Sequence, residues 1–140
     1  VALDEHRIMV AGGTSDSEDS EPLSTTEILD VRTMTFAAGP SMSLARVPCA
    51  AVPVDARHVL VVGGEDSENV PLATTDLLDV AALAFSPGPA MQAGCTGIAA
   101  VRLDVAEEAP RILVLGDESS TTEVLAVDAH TGARAARRRQ

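Results

Sequence analysis

The sequence predicts an all-β fold made of repeated antiparallel sheets of four strands, and three features of its 140 residues carry that prediction. An apolar run, a glycine pair, an acidic loop and a Thr-Thr-acid-apolar segment occur twice and begin a third time. The copies are offset by about 50 residues, since Gly12 to Gly63 is 51 residues and Phe36 to Phe85 is 49. The apolar residues, 46% of the chain, come in short runs between ten glycines and eight prolines. A repeat near 50 residues is typical of folds that use one small sheet per repeat.

The first element of each copy is a short buried strand that ends in glycine. Residues 7–12 (RIMVAG) form an apolar run that closes on Gly12 and Gly13. The second copy closes in the same way on Gly63 and Gly64. Glycine permits positive φ and a close approach of neighbouring backbone, so these pairs are expected to be structural.

A polar acidic loop follows each glycine pair, at 14–22 (TSDSEDSEP) and at 65–71 (EDSENVP). A calcium loop of the EF-hand type needs a turn glycine and a distal glutamate, and Asp16 to Glu21 contains no glycine. A solvated loop is therefore favoured over a calcium site, and phosphorylation of Ser15 or Ser17 is the remaining alternative.

The next strand ends in a turn that begins with aspartate. An aspartate side chain accepts hydrogen bonds from backbone N–H groups two residues on, so Asp30, followed by Thr33, is expected to start a turn. Asp79 takes the same place in the second copy. We expect Phe36 and Phe85 to lie on the strands after these turns, both buried at equivalent positions.

Two further strands complete each repeat. Prolines shorten the outer strands after each phenylalanine, which discourages pairing with foreign strands. Residues 47–54 and 96–103 are predicted innermost strands, rich in small residues. In the third copy 111–115 is a strand, but 134–140 lacks a strand pattern, so its outer strand is expected to be absent or frayed.

These residues together resemble the kelch-repeat family, in which each repeat forms one four-stranded blade of a β-propeller. The resemblance is carried in the first copy by Gly12, Gly13, Glu27, Asp30, Thr33, Phe36, Met42 and Arg46. The sequence departs consistently from the family pattern, with Leu for Tyr, Val for Pro and Phe for Trp. The fold class implied is an incomplete kelch-type propeller with blade pieces at 6–42, 46–91 and 96–133 and a basic tail at 134–140.

A propeller ring needs roughly four to eight blades, and this sequence supplies about two and a half. We therefore expect a fragment of a larger propeller. Two apolar blade faces are expected to stay open, so that further blades or self-association must cover them.

The charge of the chain limits its partners. Formal net charge is −11, which disfavours nucleic acid and anionic membranes as ligands. No apolar run approaches the ~20 residues that span a bilayer, and no signal peptide is recognisable. The compartment stays open, with an intracellular, cytoplasmic one favoured. Cys49 and Cys95 occupy non-equivalent repeat positions and are expected to be buried, reduced thiols.

No catalytic arrangement, metal site or cofactor is predicted. The histidines, His6, His58 and His130, share no metal-ligand spacing. Copper-radical oxidases share the propeller fold, but the resemblance implies a tyrosine ligand and this chain has no tyrosine. The preferred hypothesis is a non-catalytic protein-interaction module. The alternative is a piece of a kelch-propeller enzyme, of oxidase or sugar-isomerase type, with catalytic residues outside this chain.

Loops alternate between the two ends of an up-and-down blade, so the acidic loops should share one end with the connections between blades. The resemblance implies that partners bind there. The expected contact residues are Glu18, Asp19, Glu65 and Asp66, which favour a basic protein or peptide, together with Arg46. For Arg46 two interpretations stay open: contact with a carboxylate or phosphate of the partner, or an ion pair with the acidic loops beside it.

Overall fold

A computed structural model describes residues 1–16, 18, 20–96, 99–103, 109–116 and 122–128, and the backbone of 137–138. Eleven strands and no helix occur within these ranges. The strands are β1 (Arg7–Ala11), β2 (Thr26–Asp30), β3 (Thr35–Ala38), β4 (Ala50–Pro53), β5 (His58–Val62), β6 (Thr75–Asp79), β7 (Ala84–Pro87), β8 (Ala99–Leu103), β9 (Arg111–Leu115), β10 (Thr122–Ala126) and β11 (Arg137–Arg138).

The strands form three antiparallel sheets, each in chain order: β1–β3 (the first sheet), β4–β7 (the second) and β8–β11 (the third). The predicted fold class, an all-β partial β-propeller, is confirmed. The register repeats between sheets, since Leu29 pairs with Phe36 as Leu78 pairs with Phe85. In the first sheet an isolated bridge joins Ala2 to Ile8, at the position where β4 pairs with β5 in the second sheet. This bridge is all that the first sheet has of an innermost strand within the described residues.

The outer strand of the third sheet, which was expected to be absent or frayed, is described only as the two residues of β11. The two residues of β11 pair antiparallel with Glu123 and Val124 of β10. Backbone hydrogen bonding to a neighbouring strand does not require an alternating side-chain pattern, so the arginine-rich sequence did not reveal this strand. The rest of the predicted basic tail, 134–136 and 139–140, lies outside the described residues.

Two hydrophobic cores lie between successive sheets and use equivalent positions. The core between the first and second sheets contains Leu3, Met9, Ile28 and Met42 from one side and Val59, Val61, Leu78 and Val80 from the other. The core between the second and third sheets contains Val52, Val54, Leu60, Val62, Leu77, Met91 and Cys95 against Ile112, Val114, Leu125 and Val127. The second sheet thus presents one set of alternating residues to the first sheet and the other set to the third sheet.

The two phenylalanines are in equivalent register, but the expectation that both are buried is wrong for Phe36. Phe85 packs against the core between the first and second sheets. Phe36 is 58% exposed, because it lies on the face of the first sheet that no other described sheet covers.

The aspartate turns form as predicted. Asp30 Oδ1 accepts from the backbone N–H of Arg32 at 2.9 Å. Asp79 Oδ1 accepts from the N–H groups of Ala81 at 2.9 Å and Ala82 at 3.0 Å. In the third repeat Asp128 is the last described residue before this turn, and Thr131 lies outside the described residues.

Candidate interaction face

The acidic loops lie beside the connections between sheets, at one end of the strands. Arg46 N–H donates to the carbonyl of Leu23, directly after the first acidic loop, at 3.3 Å. Val47 and Glu65 exchange backbone hydrogen bonds at 3.1 and 3.2 Å. The connection from the first to the second sheet is therefore held between the two acidic loops.

The glycine pairs allow this close approach. A Cβ atom on Gly12 would lie 2.6 Å from the carbonyl oxygen of Arg46, and one on Gly64 would lie 2.6 Å from that of Pro48. Both glycines have positive φ, 68° and 91°. At these two positions no side chain fits between the strand end and the connection.

The acidic loops are internally hydrogen-bonded. Asp66 Oδ1 accepts from the N–H groups of Glu68 at 2.9 Å and Val70 at 3.0 Å. This carboxylate shapes its own loop and is half-buried, as is Glu65. Glu18 is exposed, and Asp19 lies outside the described residues.

Arg46 points into the interior and is fully buried. Its Nη1 donates to the carbonyls of Gly63 at 3.0 Å and Thr74 at 2.9 Å. Its Nη2 donates to the Thr74 hydroxyl at 3.2 Å and to Asp76 Oδ2 at 2.9 Å. The guanidinium thus fixes the start of the second sheet to two of its own strands.

The sequence left two interpretations of Arg46 open, contact with a binding partner and an ion pair with the acidic loops, and its position in the structure fits neither. A guanidinium without exposed surface does not reach a partner, and its carboxylate is Asp76 of β6, not an acidic loop residue. In the sequence, Asp76 is the acid of the second Thr-Thr-acid-apolar segment, and nothing in that segment points to an ion pair. The signal that could have revealed the pair is an acid at that position together with a single arginine just before the innermost strand of the same repeat.

The opposite end of the strands differs electrostatically, because four of its described aspartates have an arginine or imidazole partner. The four pairs are Arg7–Asp4 (2.7 Å), Arg32–Asp30 (2.8 Å), Arg57–Asp79 (2.7 Å) and His58–Asp55 (3.0 Å). Within the described residues no basic side chain pairs with a carboxylate of 14–22 or 65–71. Among the described residues, carboxylates without a basic partner are therefore concentrated in the acidic loops, and Glu5 at the opposite end also has none.

The aspartate pKa values reflect this pairing. Hydrogen bonds from the Arg32 side chain, and then from its backbone N–H, hold the pKa of Asp30 well below its ordinary value. The Arg57 side chain, followed by the backbone of Ala82, does the same for the pKa of Asp79. Both carboxylates stay ionised well below neutral pH.

The cysteines are free thiols, with Cys95 buried and Cys49 half-buried. Burial raises the pKa of the Cys49 thiol, which disfavours its reactive thiolate form. Among the described residues no three His, Cys, Asp or Glu side chains are grouped to hold a metal ion. That part of the chain also contains no helix with the length and apolar character of a membrane span.

Comparisons with known proteins give the fold alone. No protein-family model and no curated protein sequence matches this chain. Among solved structures, the chain is similar to a fungal alcohol oxidase of the AA5 family in complex with copper, with a TM-score of 0.64 and 19% sequence identity. The similarity covers 83% of this chain and 26% of the oxidase chain, so this chain spans about a quarter of that enzyme's length.

Proposed function

We propose that this chain is a non-catalytic interaction module of the kelch-repeat type that binds a basic protein or peptide at the end carrying the acidic loops. The observation that carries the proposal is the charge difference between the two ends. Arginines offset the aspartates at one end, whereas the described carboxylates of 14–22 and 65–71 have no basic partner.

Burial of Arg46 favours a cationic partner at this face. Its positive charge is matched by Asp76 inside the molecule, so it leaves the acidic loops unneutralised. Complementary charge of this kind accelerates association, and the binding weakens as salt screens the field.

The test is a titration of the chain with an arginine-rich peptide at several salt concentrations. The variant Glu18→Gln/Glu65→Gln should bind more weakly and show a shallower dependence on salt. The control Asp4→Asn/Glu5→Gln removes the same formal charge at the opposite end and should bind as the wild type does. Equal weakening in both variants would show an effect of net charge alone and would contradict this face.

A second function is favoured by the structural similarity to the copper-containing alcohol oxidase. In this alternative the chain is part of a kelch-propeller enzyme whose catalytic residues lie elsewhere in the protein. The absence of tyrosine means that a copper-radical tyrosine would come from outside this sequence. Copper-dependent oxidation of a primary alcohol by the product of the full-length gene would favour the enzyme, and an appended adaptor domain would favour the interaction module.

A further inference from the structure

Within the chain, one sheet packs on the next twice, with equivalent residues each time. The outer face of the first sheet and the outer face of the third sheet correspond to the two sides of this interface, and no described sheet packs on either. The face of the first sheet that turns away from the second sheet carries Ile8, Val10, Leu29, Val31 and Phe36. By register these are the equivalents of Val59, Val61, Leu78, Val80 and Phe85, which cover the core between the first and second sheets.

The outer face of the third sheet carries the other half. Val101 pairs with Leu113, and Leu113 pairs with Val124. They are the equivalents of Val52, Leu60 and Leu77, which form one side of the core between the second and third sheets. In each of the two interior interfaces, the next sheet packs on this surface. In the third sheet the same surface faces solvent.

Both faces expose apolar side chains. On the first sheet Val10 is 50% and Phe36 58% exposed, and on the third sheet Val101 is 51% and Leu115 41% exposed. On the first sheet a shallow pocket of about 470 Å³ lies between Val10, Glu27 and Phe36. Apolar surface collected on a sheet face in this way marks an interaction site.

We propose that the occupant of both faces is a second copy of this chain. The third sheet of one copy packs on the first sheet of the other, head to tail, and a twofold axis makes the two new interfaces identical. Heterologous contacts that close give rings. Two copies supply six sheets, which is within the roughly four to eight blades of closed propellers.

We pair the third sheet of one copy with the first sheet of the other because this contact has the same residue positions as the two sheet-on-sheet interfaces inside the chain. In the interior interface Val52 and Val114 belong to one core cluster. Their counterparts across the new interface are Val101 of one copy and Val10 of the other. Contact between two copies of the first sheet would instead oppose identical halves of the interface and would bring the two exposed Glu27 carboxylates onto the same surface.

The test is the mass of the chain in solution, measured by light scattering after size-exclusion chromatography. The wild type should have twice the 14.4 kDa of one chain. Val10→Arg and Val101→Glu should each give the single-chain mass with an unchanged far-UV circular dichroism spectrum. Val70→Glu is the control for Val101→Glu, because it places the same negative charge at an exposed valine of the 65–71 loop. It should keep the doubled mass.

Mixing the two variants tests the head-to-tail arrangement. In a mixed pair the new arginine of Val10→Arg faces the new glutamate of Val101→Glu at one interface, and two unsubstituted faces meet at the other. The doubled mass should therefore return. If Val10→Arg does not fold, Phe36→Arg replaces it, because that side chain is mostly exposed in the single chain.

Four outcomes would overturn the proposal. The first is a wild type that has the mass of one chain at all concentrations, which would mean that a second copy does not cover the faces. The second is a wild-type mass that grows without limit, which would mean that the contacts do not close into a ring. The third is a doubled mass for Val101→Glu, and the fourth is a mixture of the two variants that keeps the mass of one chain.

Discussion

Arg46 and Asp76 form an ion pair inside the molecule, with Nη2 2.9 Å from Oδ2 and the side chains 0% and 1% exposed. The corresponding carboxylate in the third sheet, Glu123, is also buried, but Cys95 takes the place of the arginine. Glu123 accepts from the backbone N–H of Gln92 at 3.0 and 3.1 Å, as Asp76 accepts from that of Ser43 at 3.1 Å. The same repeat position therefore holds a buried acid with and without a guanidinium partner.

Removing Asp76 should be severely destabilising. Asp76→Ala leaves the Arg46 charge buried without its counterion, and breaking such a pair typically costs about 3–5 kcal/mol. The double variant Arg46→Met/Asp76→Leu removes both charges and should recover most of that loss. Urea denaturation measures both, and Arg32→Met, which breaks an exposed pair, is the control. A double variant no more stable than Asp76→Ala would contradict this account.

Alanine should be tolerated less well at Gly12 than at Gly13. Both residues have positive φ, 68° and 112°, which costs a non-glycine residue roughly 1–3 kcal/mol. Only at Gly12 does a Cβ also meet backbone, the Arg46 carbonyl at 2.6 Å, whereas nothing lies within 4 Å of one at Gly13. The two free energies of unfolding can be compared by urea denaturation. Equal losses would mean that the connection does not press on the glycine.

The two phenylalanines should respond differently to alanine. A fully buried phenylalanine loses about 3–5 kcal/mol, and Phe85 is only partly buried, so Phe85→Ala should cost less than that. Phe36→Ala should cost less still in a single chain, since surface substitutions usually stay within about 0.5 kcal/mol. The comparison is made in the Val101→Glu background, which keeps the outer face of the first sheet uncovered. A larger loss for Phe36→Ala than for Phe85→Ala would contradict the assignment of faces.

Acid should destabilise the fold through the turn aspartates. The pKa of Asp79 is lower in the folded chain than its ordinary value of 3.8. Its contribution is therefore present above about pH 4 and is lost as pH falls from there toward the folded pKa. Urea midpoints from pH 6 to pH 2.5 should fall less steeply for Asp79→Asn than for the wild type. Parallel curves would show that Asp79 does not contribute.

The sequence by itself determined the repeat and its local structure. The apolar runs, the glycine pairs and the aspartate turns are governed by backbone conformation and by contacts between near neighbours in the chain, which a 49- to 51-residue offset makes visible. That the acidic loops lie beside the connections could also be predicted, because strands that run up and down place alternate loops at the same end.

Tertiary structure alone decided which side chains are buried and which carry partners. Phe36 and Phe85 have the same local sequence pattern and register, yet within the described part of the chain a neighbouring sheet packs against Phe85 and none against Phe36. Arg46 and Asp76 are 30 residues apart, and their contact depends on how the connection enters the second sheet. Burial and long-range ion pairing depend on what lies across an interface, and a repeat pattern contains no information about which sheet faces are covered.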